Sequence, residues 1–250
     1  MKSMPYAGVA CALWIVALAS APPAQGSDFE TCLSARNLPI SQPEEAAAAC
    51  RNLAAKGVPW AQYQMGYLYY SGQGVEQNYA LAKEWFEKAM AGGDAAGGTM
   101  IGFMYEYGIG VPQDFRRAFG WYTQSALRGN PDAQYLLGLM YRSGRGVEPD
   151  KFSAFKWVMA SVKQDSNHLQ YSPGLATLGE MYEQGDGVPQ DYVEAHRWYS
   201  LAAYAAQSEK GNKSLVDFAT KARDRLAASM TSEQITEAQR LAQEWESDTQ

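Results

Sequence analysis

Histidine is almost absent from this chain, with two in 250 residues, and cysteine is scarce, with three. Neither His168 nor His196 has another His, a Cys or a carboxylate at metal spacing such as an i, i+4 pair, so both read as surface or packing residues. Neither a metal nor a cofactor is expected. Positive charge is also short: 21 Lys and Arg against 27 Asp and Glu give a formal charge of −6. That balance argues against nucleic acid or an anionic membrane surface as the main partner. There is no Gly-x-Ser-x-Gly elbow and no His-Glu-x-x-His helix, two common hydrolase signatures. Past the first thirty residues, no apolar run approaches the roughly 20 residues that a bilayer-spanning helix needs. Apolar content is nonetheless 46%, which is the composition of a folded chain with a sizeable core.

Residues 1–26 read as a cleaved signal peptide. Lys2 is followed by an apolar run from Val9 to Ala19, then by small residues and prolines up to Gly26. Cleavage is expected after Ala19, Ala24 or Gly26. Cys11 leaves with the leader, because Gly8-Val9-Ala10 before it makes a poor lipobox. Removal takes Lys2 alone and moves the formal charge to −7. The mature chain is expected to be periplasmic or secreted, with no stable membrane insertion. It keeps Cys32 and Cys50, which lie nine residues either side of Ser41. The stretch from Asn37 to Pro43 reads as a turn, with Ser41 and Glu44 offering a capping box to the next helix. An antiparallel hairpin puts the two sulfurs at similar height. A Cys32–Cys50 disulfide is therefore expected in an oxidising compartment, worth roughly 3 kcal/mol, the other reading being two buried thiols.

The main signal is a 36-residue period. Trp85, Trp121 and Trp157 are 36 residues apart, and Trp198 follows after 41. Gly66, Gly102, Gly138 and Gly179 move with them, as do Tyr69, Tyr105, Tyr141 and Tyr182. Gly-x-Gly-Val recurs at 72–75, 108–111, 144–147 and 185–188, followed by Asn78, Asp114, Asp150 and Asp191. Each unit reads as two helices. The Gly-x-Gly pair ends the first, and the Asn or Asp caps the second. Ala82, Trp85 and Ala89 form the expected buried stripe of the second helix, with Trp121 a buried ring in the next copy. One such hairpin cannot bury its apolar face alone, so neighbours must stack into a solenoid. Residues 27–58 read as a degenerate capping hairpin. Residues 204–250 read as C-terminal capping helices, with a capping box at Thr231-Ser232-Glu233-Gln234.

The pattern Ala-x3-Leu-Gly-x2-Tyr-x2-Gly-x-Gly-Val-x2-Asp-x3-Ala-x2-Trp-Tyr resembles the Sel-1-like repeat family, relatives of the tetratricopeptide repeats. Copies run at about 61–94, 97–130, 133–163 and 174–203 within a repeat region of 59–203. Met65, Ile101, Gly97, Gly174 and Val158 depart from the usual residues as packing swaps. The resemblance implies an all-α fold, an α/α solenoid or superhelix, serving as a non-catalytic adaptor. The expected partner is a protein or peptide of the bacterial envelope, bound by a monomer. Alternatives are a secreted effector that meets host proteins, or an enzyme acting on β-lactams or the cell wall. For the last, Ser153-Ala154-Phe155-Lys156 supplies the letters of an acyl-serine motif without its structural context.

Tetratricopeptide-like stacking further implies a concave groove lined by the first helices. Transferred to this chain, it points to Trp60, Tyr63, Tyr67 and Tyr70 in the first copy, and to Thr99, Phe103, Glu106 and Tyr107 in the second. Tyr135, Leu139 and Arg142 follow in the third, and Glu180, Glu183 and Gln184 in the fourth. The groove would be aromatic towards its N-terminal half and acidic towards the other. Tyr63 and Tyr67 read equally as groove or as core, and Arg142 as exposed or held in an internal ion pair.

Overall fold

The computed structural model describes residues 26–34, 42–163, 172–208 and 212–247. The leader up to residue 25, Ser41 of the expected capping box and His168 lie outside the described residues. Among those described there are twelve helices and no strand: an α/α solenoid of helical hairpins. A first compact unit, up to Asp114, holds α1 (Gly26–Ser34), α2 (Pro43–Ala55), α3 (Pro59–Ser71), α4 (Tyr79–Ala91) and α5 (Ala95–Tyr107). A second, from Phe115, begins with α6 (Phe115–Leu127), α7 (Pro131–Ser143), α8 (Lys151–Lys163) and α9 (Ser172–Gln184). It ends with α10 (Tyr192–Ser208), α11 (Lys213–Ala227) and α12 (Ser232–Ser247). Within each unit, every helix up to α11 packs on the next, and α12 packs on α10.

Local chemistry sets the helix ends. Pro59 and Pro131 open α3 and α7 at the position where a missing N–H costs nothing. Gly72 ends α3 at φ +74 and gives its N–H to the Leu68 carbonyl. Asn78 then caps α4, accepting from the Leu81 N–H at 3.0 Å. One bond recurs in every copy: the backbone N–H of Asn78, Asp114, Asp150 and Asp191 donates to the carbonyl of Tyr69, Tyr105, Tyr141 and Tyr182. It ties the start of the second helix to the end of the first. At the C-terminus, Thr231 and Gln234 bond reciprocally, as a capping box should.

The second glycine of each Gly-x-Gly-Val does a different job. A Cβ on Gly74 would stand 2.0 Å from the Pro43 carbonyl oxygen, the first residue of α2. The same position meets Tyr79 from Gly110, Phe115 from Gly146 and Lys151 from Gly187, each the first residue of an earlier second helix. Each loop thus seats backbone to helix start on the preceding hairpin, and a side chain there would lift it off.

The buried stripe differs from the expected one by a single residue. Ala82 and Ala89 are fully buried, but Trp85 is only partly so, and Phe86 beside it has no exposed surface. Trp121 and Trp157 are likewise partly buried, whereas Tyr122 and Val158 are fully buried. The facing helix supplies the reason. A Cβ on Gly66 would lie 2.5 Å from the Phe86 ring, one on Gly138 2.7 Å from Val158, and one on Gly179 2.7 Å from the Tyr199 ring. The periodic glycine of the first helix is therefore a socket for the residue after the tryptophan. The tryptophan turns to the flank, as Trp85 does beneath the Lys88 ammonium at 4.1 Å. In the fourth copy both Trp198 and Tyr199 are buried, because α12 brings Trp245 to 4.9 Å from Trp198.

In the N-terminal hairpin, Cys32 on α1 and Cys50 on α2 form a disulfide with a Cα–Cα distance of 4.7 Å. Both cysteines are fully buried, in a cluster with Ala46, Leu53 and Met65.

Candidate partner-binding face

In the first unit, α3 and α5 touch directly and carry most of the aromatic residues that the sequence singles out. The rings meet different neighbours. Trp60 joins the cap: it packs on the disulfide cluster and meets Phe29 of α1 edge-on at 5.3 Å. Tyr63 leans on the core, its ring 5.7 Å from that of Phe86. Tyr67 and Tyr70 face each other at 6.4 Å with planes 27° apart, and Tyr79 closes on Tyr70 at 5.6 Å. On α5, Phe103 and Tyr107 are 4.5 Å apart, and Tyr107 is 40% exposed. Tyr67, Tyr70, Tyr79 and Phe103 are half-buried. Burial, then the neighbouring Tyr79 and Tyr67, push the Tyr70 hydroxyl above its ordinary pKa, so it remains a neutral donor. Thr99 and Glu106, expected on this surface, are buried instead.

Tyr79 has no place in the sequence expectation, because it belongs to a second helix and not to a first. Gln77, also unforeseen, donates to the Tyr70 carbonyl at 2.9 Å, as Gln113 and Gln190 do to those of Glu106 and Glu183. This period-36 glutamine fixes the end of the first helix, and its recurrence in the sequence was the available signal. In the third copy the position is Pro149.

In the second unit several of the expected site residues make contacts within the fold. Tyr135 packs against the core, its hydroxyl 3.4 Å from that of Thr177 on α9. Arg142 bonds Asp186 through Nε at 2.6 Å, Glu180 at 2.9 Å and Gln184 at 3.2 Å, clasping the fourth copy to the third. Glu183 accepts from the Tyr199 hydroxyl at 2.8 Å and pairs with Arg225. The acidic surface expected here is thus neutralised from within. Ser153 gives its hydroxyl proton to Asp150 at 2.6 Å, and Lys156 sits over the Phe152 ring, so the Ser-x-x-Lys letters form a helix cap.

The clasp makes a pH prediction. Burial alone would raise the Asp186 carboxyl, but Arg142 and Lys151 outweigh it and hold the group below its usual value. A folded pKa below the unfolded one gives stability that is complete above about pH 4 and is lost as pH falls through the folded value. Arg142→Met should therefore cost about 2 kcal/mol at neutral pH and shrink the loss seen on acidification, read by circular dichroism during urea melts at several pH values.

A cleft of about 560 Å³ in the second unit is lined by Tyr182, Glu194, Arg197, Trp198 and Trp245 among others. Two of its charges answer one another. Arg197 pairs with Glu194 at 3.0 Å and lies over Trp198 and Trp245 at 4.8 and 5.3 Å, and Glu194 also accepts from the Trp198 indole. Among the described residues, no group of three or more His, Cys, Asp or Glu could hold a metal ion.

Comparison with known proteins agrees with the period. The Sel1 repeat model matches residues 61–94, 99–130, 131–158 and 173–206. No curated protein gives a significant sequence match. A Sel1 repeat protein of Oxalobacter formigenes is similar in structure, with a TM-score of 0.60 and 25% identity over 71% of this chain and 72% of that one. The immunity proteins Pa5087 and PA5088 of Pseudomonas aeruginosa share the fold, with TM-scores of 0.52 and 0.53 at 19% identity. They align over 82% and 84% of this chain and 84% of each of theirs. With four matched repeats spread over half of its length, and hairpins joined as described above, the chain belongs to the Sel1 repeat family.

Proposed function

We propose that the chain is an exported, monomeric, non-catalytic scaffold of the bacterial cell envelope, holding a protein partner on the aromatic face of α3 and α5. Sel1 repeat proteins generally mediate protein–protein interaction and are typically non-catalytic. For this chain the reading rests above all on one observation. Tyr67, Tyr70, Phe103 and Tyr107 stand half-buried or exposed on two touching helices, and neither helix carries an exposed charged side chain. Such aromatics supply much of the binding energy at protein interfaces, since they bury large area with few rotors. The Cys32–Cys50 disulfide fits a non-cytoplasmic location, and the composition of residues 1–26 fits export. No helix among the described residues is long and apolar enough to cross a membrane. In the proposed layout, the leader at 1–26 precedes a capping hairpin at 27–58, the repeats at 59–203 and capping helices at 204–250.

Capture from crosslinked envelope extract tests the proposal, with the tagged full chain set beside a Tyr67→Ala/Tyr107→Ala variant of matched melting temperature. A partner recovered by the wild type should be lost with the variant, and Tyr67→Ala alone should weaken its binding by more than about 1 kcal/mol. Equal recovery of that partner by both would contradict the proposal.

A further inference from the structure

Little besides the disulfide holds α1 to the rest of the first unit. It has nine residues, fewer than the roughly 12–15 that an isolated helix needs to persist in water. Of its described side chains only Cys32 is fully buried. Phe29 is half-buried against Trp60, and Glu30 and Ser34 are exposed. The hydrogen bond that Asn52 of α2 donates to Asp28 is long, at 3.4 Å, and exposed. Ordering nine residues costs more than one half-shielded ring and one weak bond offset.

The neighbouring α2 is the opposite case. It buries Ala47, Cys50, Leu53 and Ala54 among others, and it packs on α3 as well as on α1. The loop at Gly74 also seats against its first residue, Pro43. These contacts keep α2 docked whether or not α1 lies over it.

We propose that α1 is a redox-controlled cover on the N-terminal end of the array, docked while the Cys32–Cys50 bond is intact and released when a dithiol reductant opens it. A thiolate of the reductant attacks one sulfur and breaks the S–S bond, and its second thiolate then resolves the mixed disulfide. The reductant leaves as its own disulfide, two electrons pass to the protein, and Cys32 and Cys50 each gain a proton. Both sulfurs are fully buried, so attack waits on fraying of α1, which so short a helix undergoes. The bond joins residues 18 apart, and opening it returns chain entropy to the undocked state. Release bares Cys50 and Trp60, whereas the docked helix turns Glu30 and Ser34 outward, as the end of a repeat array requires. The array is thus closed at this end in an oxidising compartment and open there in a reducing one.

Hydrogen exchange read by mass spectrometry tests this on the full chain, with and without dithiothreitol, beside a Cys32→Ser/Cys50→Ser variant. Peptides within 26–34 should exchange about a hundredfold faster after reduction and in the variant, while those of α3, α4 and α5 keep their protection. Oxidised Phe29→Ala should keep 26–34 protected, because the bond and not the ring holds the helix. Protection of 26–34 that survives reduction would overturn the proposal, as would a bond that the dithiol cannot open without denaturant. Loss of protection across α3 to α5 together with α1 would also overturn it, by making the disulfide a support of the whole unit. Release of α1 in oxidised Phe29→Ala would give the holding role to the ring instead.

Discussion

Phe86→Ala should destabilise the N-terminal unit by about 3–5 kcal/mol, read as a fall in its urea midpoint. The ring is fully buried, fills the socket over Gly66 and has Tyr63 against it. Its removal leaves a cavity that cannot readily close. Gly66 has no side chain to move in, and the Gly74–Pro43 and Gly110–Tyr79 seats hold the hairpins at their present spacing. Trp85→Ala should cost less, although tryptophan is the larger residue, because its ring is only partly buried and keeps water on one side. A reversed order of the two costs would mean that the tryptophan, not the residue after it, fills the hairpin core.

Gly74→Ala should cost about 3 kcal/mol or more, against about 1 kcal/mol for Gly57→Ala. Both glycines are left-handed, at φ +69 and φ +81, so alanine pays a similar backbone penalty at each. They differ in space alone. A Cβ on Gly57 meets nothing within 4 Å, whereas one on Gly74 stands 2.0 Å from the Pro43 carbonyl oxygen and 2.4 Å from its carbon. Backbone cannot rotate aside as a side chain can, so the loop must lift from α2. Equal losses in thermal or urea melts would show that the loop does not seat there.

The difference between sequence and structure has a physical pattern. The hairpin period was legible because it is written in residues with single uses: glycine at a left-handed exit and Asn or Asp at a cap. The choice between Trp85 and Phe86 was not. Neighbouring residues differ by only about 100° around a helix, and both sit near the apolar side. What separates them is a glycine on the facing helix, a tertiary fact. Arg142 illustrates the same limit for charge: its partners Glu180 and Asp186 lie 38 and 44 residues on, so a local reading counts acids without seeing the base that answers them. Tyr79 escaped notice because it closes the Tyr67–Tyr70 cluster from the start of a second helix.

That distinction bears on the proposed function. In the second unit the candidate residues Tyr135 and Arg142 hold repeats together, while in the first Tyr70 and Tyr107 keep accessible ring surface. The most direct measurement is site-specific photo-crosslinking, with a benzophenone side chain placed at Tyr107 and, separately, at Phe152. Phe152 is the more exposed of the two, at 62% against 40%, and lies on the second helix of its hairpin. A partner adduct from Tyr107 and none from Phe152 is the expected result. An adduct from Phe152 with none from Tyr107 would put the partner on another surface and contradict the account.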